Sequence, residues 1–254
     1  MLPTTISENG RATAQQHLCC LVVDDKVAID AGSLAMSATE IQRKQVRDVI
    51  LTHAHLDHIA GLPIFIDDLF ATLETPIRIY ALPEVINSLE THVFNWVLYP
   101  RVSELKNSYG NVVTYQSIEV ESKIKVSHLE FTAINVNHKV PSVGFVFSDG
   151  NTKMALSGDT SQMERFWEFV NQEKNLKALF IECAFPNELS DLAEASHHLT
   201  PSKLELELKK FSQPDCQIFV INLKPMYREK ICSEITTLNI PNLNVLEVGK
   251  VYHF

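Results

Sequence analysis

The chain has 254 residues, 45% hydrophobic and 21% charged, which suits one large globular domain or two small ones with a substantial core. Lys plus Arg number 22 against 31 Asp plus Glu, a net charge of −9, and the longest basic runs are Arg43–Lys44 and Lys209–Lys210, so the chain lacks the basic face of a protein that grips nucleic-acid backbones. No window approaches the roughly 18 apolar residues of a membrane span, the polar start MLPTTISENGRATAQQH has no apolar signal core, and the five cysteines form no C-x-x-C pair; the expectation is a cytoplasmic protein with reduced thiols.

Residues 1–17 read as irregular. LCCLVV and KVAID are two strands joined by a turn at Asp24–Asp25, followed by the loop AGS and a short amphipathic helix, ATEIQRKQ. VRDVIL is a strand running directly towards His53. LPIFIDDLFATL has helical periodicity, with Pro63 tolerable in its first turn. PIRIYAL is a strand, PEVINSLETHVFNWVL a helix, and residues 99–111 a loop. NVVTYQ, KIKVSHLEFTAINV, VGFVFS and TKMALS make a strand-rich stretch. Then come the helix QMERFWEFVNQ, the strand LKALFIEC, the helix SKLELELKKFS opened by Thr200 and Pro201, the strand CQIFVIN, the helix REKICSEITTL and a last strand NVLEV. Hairpins and crossovers both occur, so the sheets should be mixed, and one domain over residues 1–254 with two sheets covered by helices is the economical reading.

The chemistry concentrates in LTHAHLDHIAGLP, residues 51–63. His53 and His55 stand two apart at a strand end, and alternate residues of an extended segment face the same way, so both imidazoles can reach one cation. Asp57 and His58 follow after the chain turns and can serve a second. Imidazoles with a carboxylate suit zinc, iron or manganese, and the absence of thiolates argues against a structural zinc site. Other candidates lie at strand ends farther along. His138 follows FTAINV and by itself would read as a turn histidine; Asp159 follows KMALS, and its carboxylate could bridge two cations; His198 precedes a helix start, with His197 an exposed neighbour. Asp30 either orients a ligand histidine or is a plain turn residue. Trp96, Phe166 and Trp167 read as core, His92 and His128 as surface or helix-packing residues, Lys224 as a lysine that could meet a phosphate but is more commonly solvated, and Glu182 as a strand-end residue near the site that could support a ligand.

H-x-H-x-D-H after a buried strand, then a lone His, then G-D-T, then a later His, resembles the metallo-β-lactamase fold superfamily. THAHLDHIAGLP, HVFNWVLYP, NHKVPSVGF, SGDTSQMERFW, ECAFPNELSDLAEASHHLTP and NLKP, spread from about residue 21 to 231, are closer to its class II cyclic-nucleotide phosphodiesterases and their bacterial relatives. The resemblance implies an α+β fold, a four-layer αββα sandwich with two mixed sheets and a dinuclear centre at one edge. Carried over, His53, His55 and His138 hold one metal ion, Asp57 and His58 the other, and Asp159 bridges. The implied cofactors are two divalent metal ions, zinc first, with manganese or iron as options. The implied reaction is attack of a metal-bridging hydroxide on a 3′,5′-cyclic nucleotide such as cAMP or cGMP, with Asp57 and His198 as catalytic residues and His198 protonating the leaving oxygen. The implied partner is a small phosphodiester, with no membrane and no nucleic acid; homodimers are common among such folds.

Two departures stand out. Members of the resembled family usually carry His-x-Lys-Pro where this chain has Asn222-Leu223-Lys224-Pro225, so the second metal could be loose, exchanged for a harder ion, or ligated by His198. The usual Gly-rich first turn is also missing, which could mean a lost or altered first strand. Competing readings are an RNase Z-like phosphodiesterase, a lactonase or thioesterase of the same fold, and a weakly active or binding-only member.

Overall fold

The computed structural model describes residues 18–254; the irregular segment expected over 1–17 and any strand there lie outside the described residues. β1 (Leu21–Val23) and β2 (Val27–Ile29) form a hairpin whose turn puts Asp24 and Asp25 at positive φ, as a tight two-stranded turn requires. β3 (Asp48–Ile50), β4 (Ile77–Ala81) and, after a minor hairpin of β5 (Lys106–Asn107) and β6 (Gly110–Asn111), β7 (Val113–Ser117) extend that sheet in parallel, in the order β1-β2-β3-β4-β7. The second sheet starts with antiparallel β8 (Lys123–Val126), β9 (Leu129–Asn135), β10 (Val143–Ser148) and β11 (Lys153–Leu156). It continues in parallel through β12 (Leu176–Glu182), β13 (Gln217–Ile221) and β14 (Leu243–Val245). Both sheets are mixed or carry both senses of pairing, as expected.

Strand alternation builds the layers. Phe131, Phe145, Phe147, Phe180 and Phe219 point into the core between the sheets, in one cluster with Val49 and Ile79 of the first. Their neighbours Ile134, Val146, Leu179, Ile181 and Val220 face the other way, into a second core. Helices cover the outer faces. α1 (Leu34–Ser37), α2 (Glu40–Gln45), α3 (Leu56–Ile59), α4 (Gly61–Leu69) and α5 (Pro83–Ser88) connect the strands of the first sheet, and Leu34, Leu62, Phe65, Ile66 and Val85 join its core. α6 (Arg165–Gln172), α8 (Pro201–Leu208) and α9 (Arg228–Thr237) place Phe166, Trp167, Leu204 and Ile231 on the second, with α7 (Ser190–Ser196) between α6 and α8 in sequence. The result is the αββα sandwich.

Three local expectations fail for identifiable reasons. The helix expected over residues 83–98 stops at Phe94 after a π-turn at Leu89–Val93. Asn95 Oδ1 accepts hydrogen bonds from the amides of Val97 and Leu98, an amide side chain outcompeting helical pairing. Trp96, expected in the core, is consequently exposed at φ 67°. α7 was not foreseen because SDLAEAS buries only Ala193 and has no apolar period. Phe166 and Trp167 are core residues as expected, and His92 and His128 lie at the surface.

Candidate metal centre

One end of the sandwich collects strand C-termini from both sheets. Asp30 follows β2, Thr52 and His53 follow β3, His138 follows β9, Asp159 follows β11, Glu182 ends β12 and Asn222 follows β13. The sheets meet there through a hydrogen bond from the Val143 amide to the Thr52 carbonyl (3.1 Å). A buried strand has no further room for a polar group until its last residue, so polar side chains accumulate where the backbone leaves the core. Two residues at this edge, Asp30 (φ 58°) and Asn222 (φ 53°), adopt the left-handed conformation that Asn and Asp tolerate best. Gly158 (φ 63°) turns the chain into Asp159, and Gly32 lets α3 approach, since a Cβ on it would stand 2.0 Å from the Asp57 carbonyl oxygen.

The sequence candidates come together. His53, His55, His138 and Asp159 point one donor atom each into a common space, with all four atoms within 4.8 Å of one another. Asp57, His58 and Asp159 form a second such group that shares Asp159. Asp159 Oδ2 is 3.3 Å from His58 Nε2 and 3.8 Å from His53 Nε2. His198 does not join Asp57 and His58; it groups with Asp159 and Glu182.

Three of the ligand imidazoles, His53, His58 and His138, are oriented from behind. The Asp30 carboxylate takes His58 Nδ1 at 2.7 Å, the Thr52 amide at 2.8 Å and the Thr52 hydroxyl at 2.9 Å, and the Thr52 hydroxyl stands 3.0 Å from His53 Nδ1. Because the hydroxyl proton goes to Asp30, His53 Nδ1–H donates to Thr52, which leaves its Nε2 lone pair for the site. Asp30 therefore anchors two histidines, which settles its reading as more than a turn residue. His138 Nδ1 donates to the carbonyl of His197 at 3.1 Å, again freeing Nε2. His197, expected as an exposed neighbour, is instead the half-buried left-handed end of α7 (φ 56°), held through Asn137.

The donor set suits divalent ions. Among the described residues, His53 Nε2 and His58 Nε2 are buried side-chain atoms with no hydrogen-bond partner; the 3.3 Å approach of Asp159 to His58 lacks hydrogen-bond geometry. Orphaned buried imidazole nitrogens are costly unless something else takes their lone pairs. His55 Nδ1 and His138 Nε2 lie 3.1 Å apart, close to the spacing of two nitrogens sharing one ion at about 2.0–2.1 Å. The set is imidazole and carboxylate throughout, and it fits zinc, iron or manganese.

The electrostatics agree for the four-donor group; at His58 burial works against the charge, but Cys19, Asp159 and Asp30 hold its pKa well above the usual histidine range, so an ion there must displace a proton. Burial, reinforced by the neighbouring imidazoles, holds His53 well below the usual histidine range and His138 down to about 4, so both stay neutral and able to ligate. Burial opposes ionisation of Asp159, but His58 and His53 outweigh it and hold its carboxyl well below the ordinary value. His198 Nδ1 sits 2.8 Å from Glu182, and although burial works against its charge, that carboxylate raises its pKa. Glu182 is fully buried and receives the Thr160 amide at 3.0 Å and the Ala184 amide at 2.9 Å.

Lys224, expected to be solvated, is a correction. Its ammonium donates to Asp57 Oδ2 at 2.9 Å, and Asn222 Nδ2 donates to Asp159 Oδ1 at 2.5 Å. The available signal was their alternation along a segment leaving the same sheet edge.

Comparison with known proteins identifies the fold and the family. A Yersinia pestis protein named "Probable 3′,5′-cyclic-nucleotide phosphodiesterase" is 30% identical over 190 residues, 68% of this chain and 53% of that protein. The 3′,5′-cyclic-nucleotide phosphodiesterase 1 of Saccharomyces cerevisiae is 27% identical over 191 residues, 66% of this chain and 51% of its own. The chain thus spans about half the length of the curated relatives it matches. The metallo-β-lactamase fold protein YhfI from Bacillus subtilis superposes with a TM-score of 0.72 at 16% identity, covering 95% of this chain and 94% of that one, and establishes the fold. The model of the family described as "Anti-Pycsar protein Apyc1" matches residues 10–204, a span that runs from before the first hairpin through the H-x-H-x-D-H loop to His198, and the chain belongs to that family.

Proposed function

We propose that the chain is a metal-dependent phosphodiesterase that hydrolyses 3′,5′-cyclic nucleotides to nucleoside 5′-monophosphates. The observation that carries this reading is the pair of overlapping donor groups sharing Asp159, with unpartnered imidazole nitrogens aimed into them. The names of the Yersinia and yeast relatives support the substrate class. His53, His55, His138 and Asp159 would hold one divalent ion, and Asp57, His58 and Asp159 a second, zinc first, with manganese or iron as alternatives. When bound, the ions supply Lewis acidity and a water acidic enough to attack phosphorus near neutral pH.

The chain's own residues do the rest. Asp30, Thr52 and the His197 carbonyl orient His53, His58 and His138 before any substrate arrives, so little reorganisation of those rings remains at the moment of reaction. With Nδ1 tied to Glu182, His198 keeps its orientation; although burial works against its charge, that carboxylate favours the protonated form, from which its other nitrogen can hand a proton to the departing 3′ oxygen. A chain of net charge −9 attracts an anionic phosphodiester through bound ions at this centre rather than through its overall charge. A cytoplasmic location belongs to the same reading; no helix among the described residues is long and apolar enough to cross a membrane. The test is hydrolysis of 3′,5′-cyclic AMP by protein stripped of metal and reloaded with zinc, manganese or iron. Turnover that depends on the ion and disappears in His55→Ala supports the proposal, and no turnover with any ion in a folded protein overturns it.

A further inference from the structure

The two donor groups are unequal. The first presents His53, His55, His138 and Asp159, three neutral imidazoles and a carboxylate, a complete four-donor set. The second presents only Asp57, His58 and Asp159, and its Asp159 is shared. The groups that could complete it come from the segment after β13, and both turn hydrogen-bond donors towards it. Asn222 directs its amide N–H₂ at Asp159 Oδ1 (2.5 Å), and Lys224 directs its ammonium at Asp57 Oδ2 (2.9 Å). The segment is held in that pose by the left-handed φ of Asn222 (53°) and by the Lys224 amide donating to the Ala184 carbonyl at 3.1 Å.

Resting on the metal-dependent reading above, we propose that Lys224 is a built-in counter-cation of the second position, so that the two ions bind in sequence: one tightly at the four-donor group, the next weakly because it must displace the Lys224 ammonium from Asp57. The physical reason is charge. A divalent ion on Asp57 would share that carboxylate with a fixed positive charge at hydrogen-bond distance, and in a half-buried setting the repulsion is only partly screened. Asn222 adds to the imbalance, because its amide hydrogen must leave Asp159 before any lone pair on that side chain can serve the ion. The arrangement keeps Asp57 neutralised and in place while the second position is vacant, at the expense of affinity there.

The experiment is equilibrium dialysis and calorimetric titration of the metal-free full chain with Zn²⁺ and with Mn²⁺, counting bound ion directly. The expected result is one tight equivalent and a second at least about 100-fold weaker. Lys224→Met should tighten the second equivalent roughly 10- to 100-fold with the first unchanged, Lys224→Arg, which keeps the charge, should behave as the unmodified chain, and Asn222→His, an imidazole at a left-handed position histidine tolerates, should also tighten the second. Thermal melts confirm that each variant is folded. Two equivalents of equal affinity, or a second equivalent indifferent to Lys224→Met, overturn the inference while leaving the metallohydrolase reading in place. Failure to bind even one equivalent overturns that reading and this inference with it.

Discussion

Asp30 and His58 stand 28 residues apart and meet at 2.7 Å through Oδ2 and Nδ1, in a buried contact that also takes in Thr52 and, through it, His53. One carboxylate at the end of β2 therefore sets the tautomer of a histidine in each donor group. Asp30→Ala should lower affinity for bound divalent ion by about 10- to 100-fold. Asp30→Asn, with a neutral acceptor, should fall between. Calorimetric titration of the metal-free variants checks both, and unchanged affinity in Asp30→Ala would remove Asp30 from the account.

His138 predicts a pH dependence. Burial lowers its pKa from 6.5 in the unfolded chain to about 4. Between those values the unfolded chain binds a proton that the folded one does not, so this residue's contribution to stability is present above about pH 6.5 and is lost as the pH falls towards 4. NMR titration of metal-free protein should show the His138 ring neutral down to about pH 4. Denaturation midpoints of His138→Asn should fall less steeply with acid over the same range.

His198 and Glu182 should separate a proton donor from its orienting partner. His198→Gln should cut kcat for cyclic nucleotide by about 10²- to 10⁴-fold, with bound metal at the four-donor group unchanged. Glu182→Gln keeps the shape but no longer stabilises the imidazolium that its 2.8 Å contact favours. Its kcat should drop less, and the pH profile should shift to lower pH as the His198 pKa falls. Steady-state kinetics from pH 5 to 9 distinguish the two.

Glu207 predicts a purely structural effect. It is buried, and it accepts Trp167 Nε1 at 2.7 Å and the Met163 amide at 3.0 Å while pairing with Lys210 at 2.8 Å, which ties α8 to α6. Glu207→Ala leaves those donors unpaired in the second core, and should lose about 3–4 kcal/mol, near 10 °C in Tm. Turnover of the surviving folded fraction should be little changed.

The fold and the centre were not equally legible. Strands such as FTAINV, KMALS and LKALFIEC announce themselves by apolar runs, and a polar residue at the end of each has little choice but to sit at the sheet edge; hence His138, Asp159 and Glu182 could be placed together although they stand 85, 106 and 129 residues after His53 in the chain. Asp30 stayed ambiguous because its partner His58 lies in a different element, and only the parallel β2–β3 register brings the two ends level. The pairing of Lys224 is not legible in the sequence, because a flexible ammonium carries no periodicity and its contact with Asp57 depends on the path of the chain after β13. The early end of α5 was hidden for a similar reason: PEVINSLETHVFNWVL keeps an apolar pattern through Leu98, while the competing Asn95 side-chain bonds form only in the folded turn.

The most direct measurement is hydrolysis of 3′,5′-cyclic AMP by the metal-loaded chain in ¹⁸O-labelled water, with products separated by chromatography and the phosphate weighed by mass spectrometry. The account predicts 5′-AMP with one ¹⁸O in its phosphate, formed only with divalent ion present and absent in His55→Ala. Formation of 3′-AMP, or product that persists in His55→Ala or without metal, would contradict it.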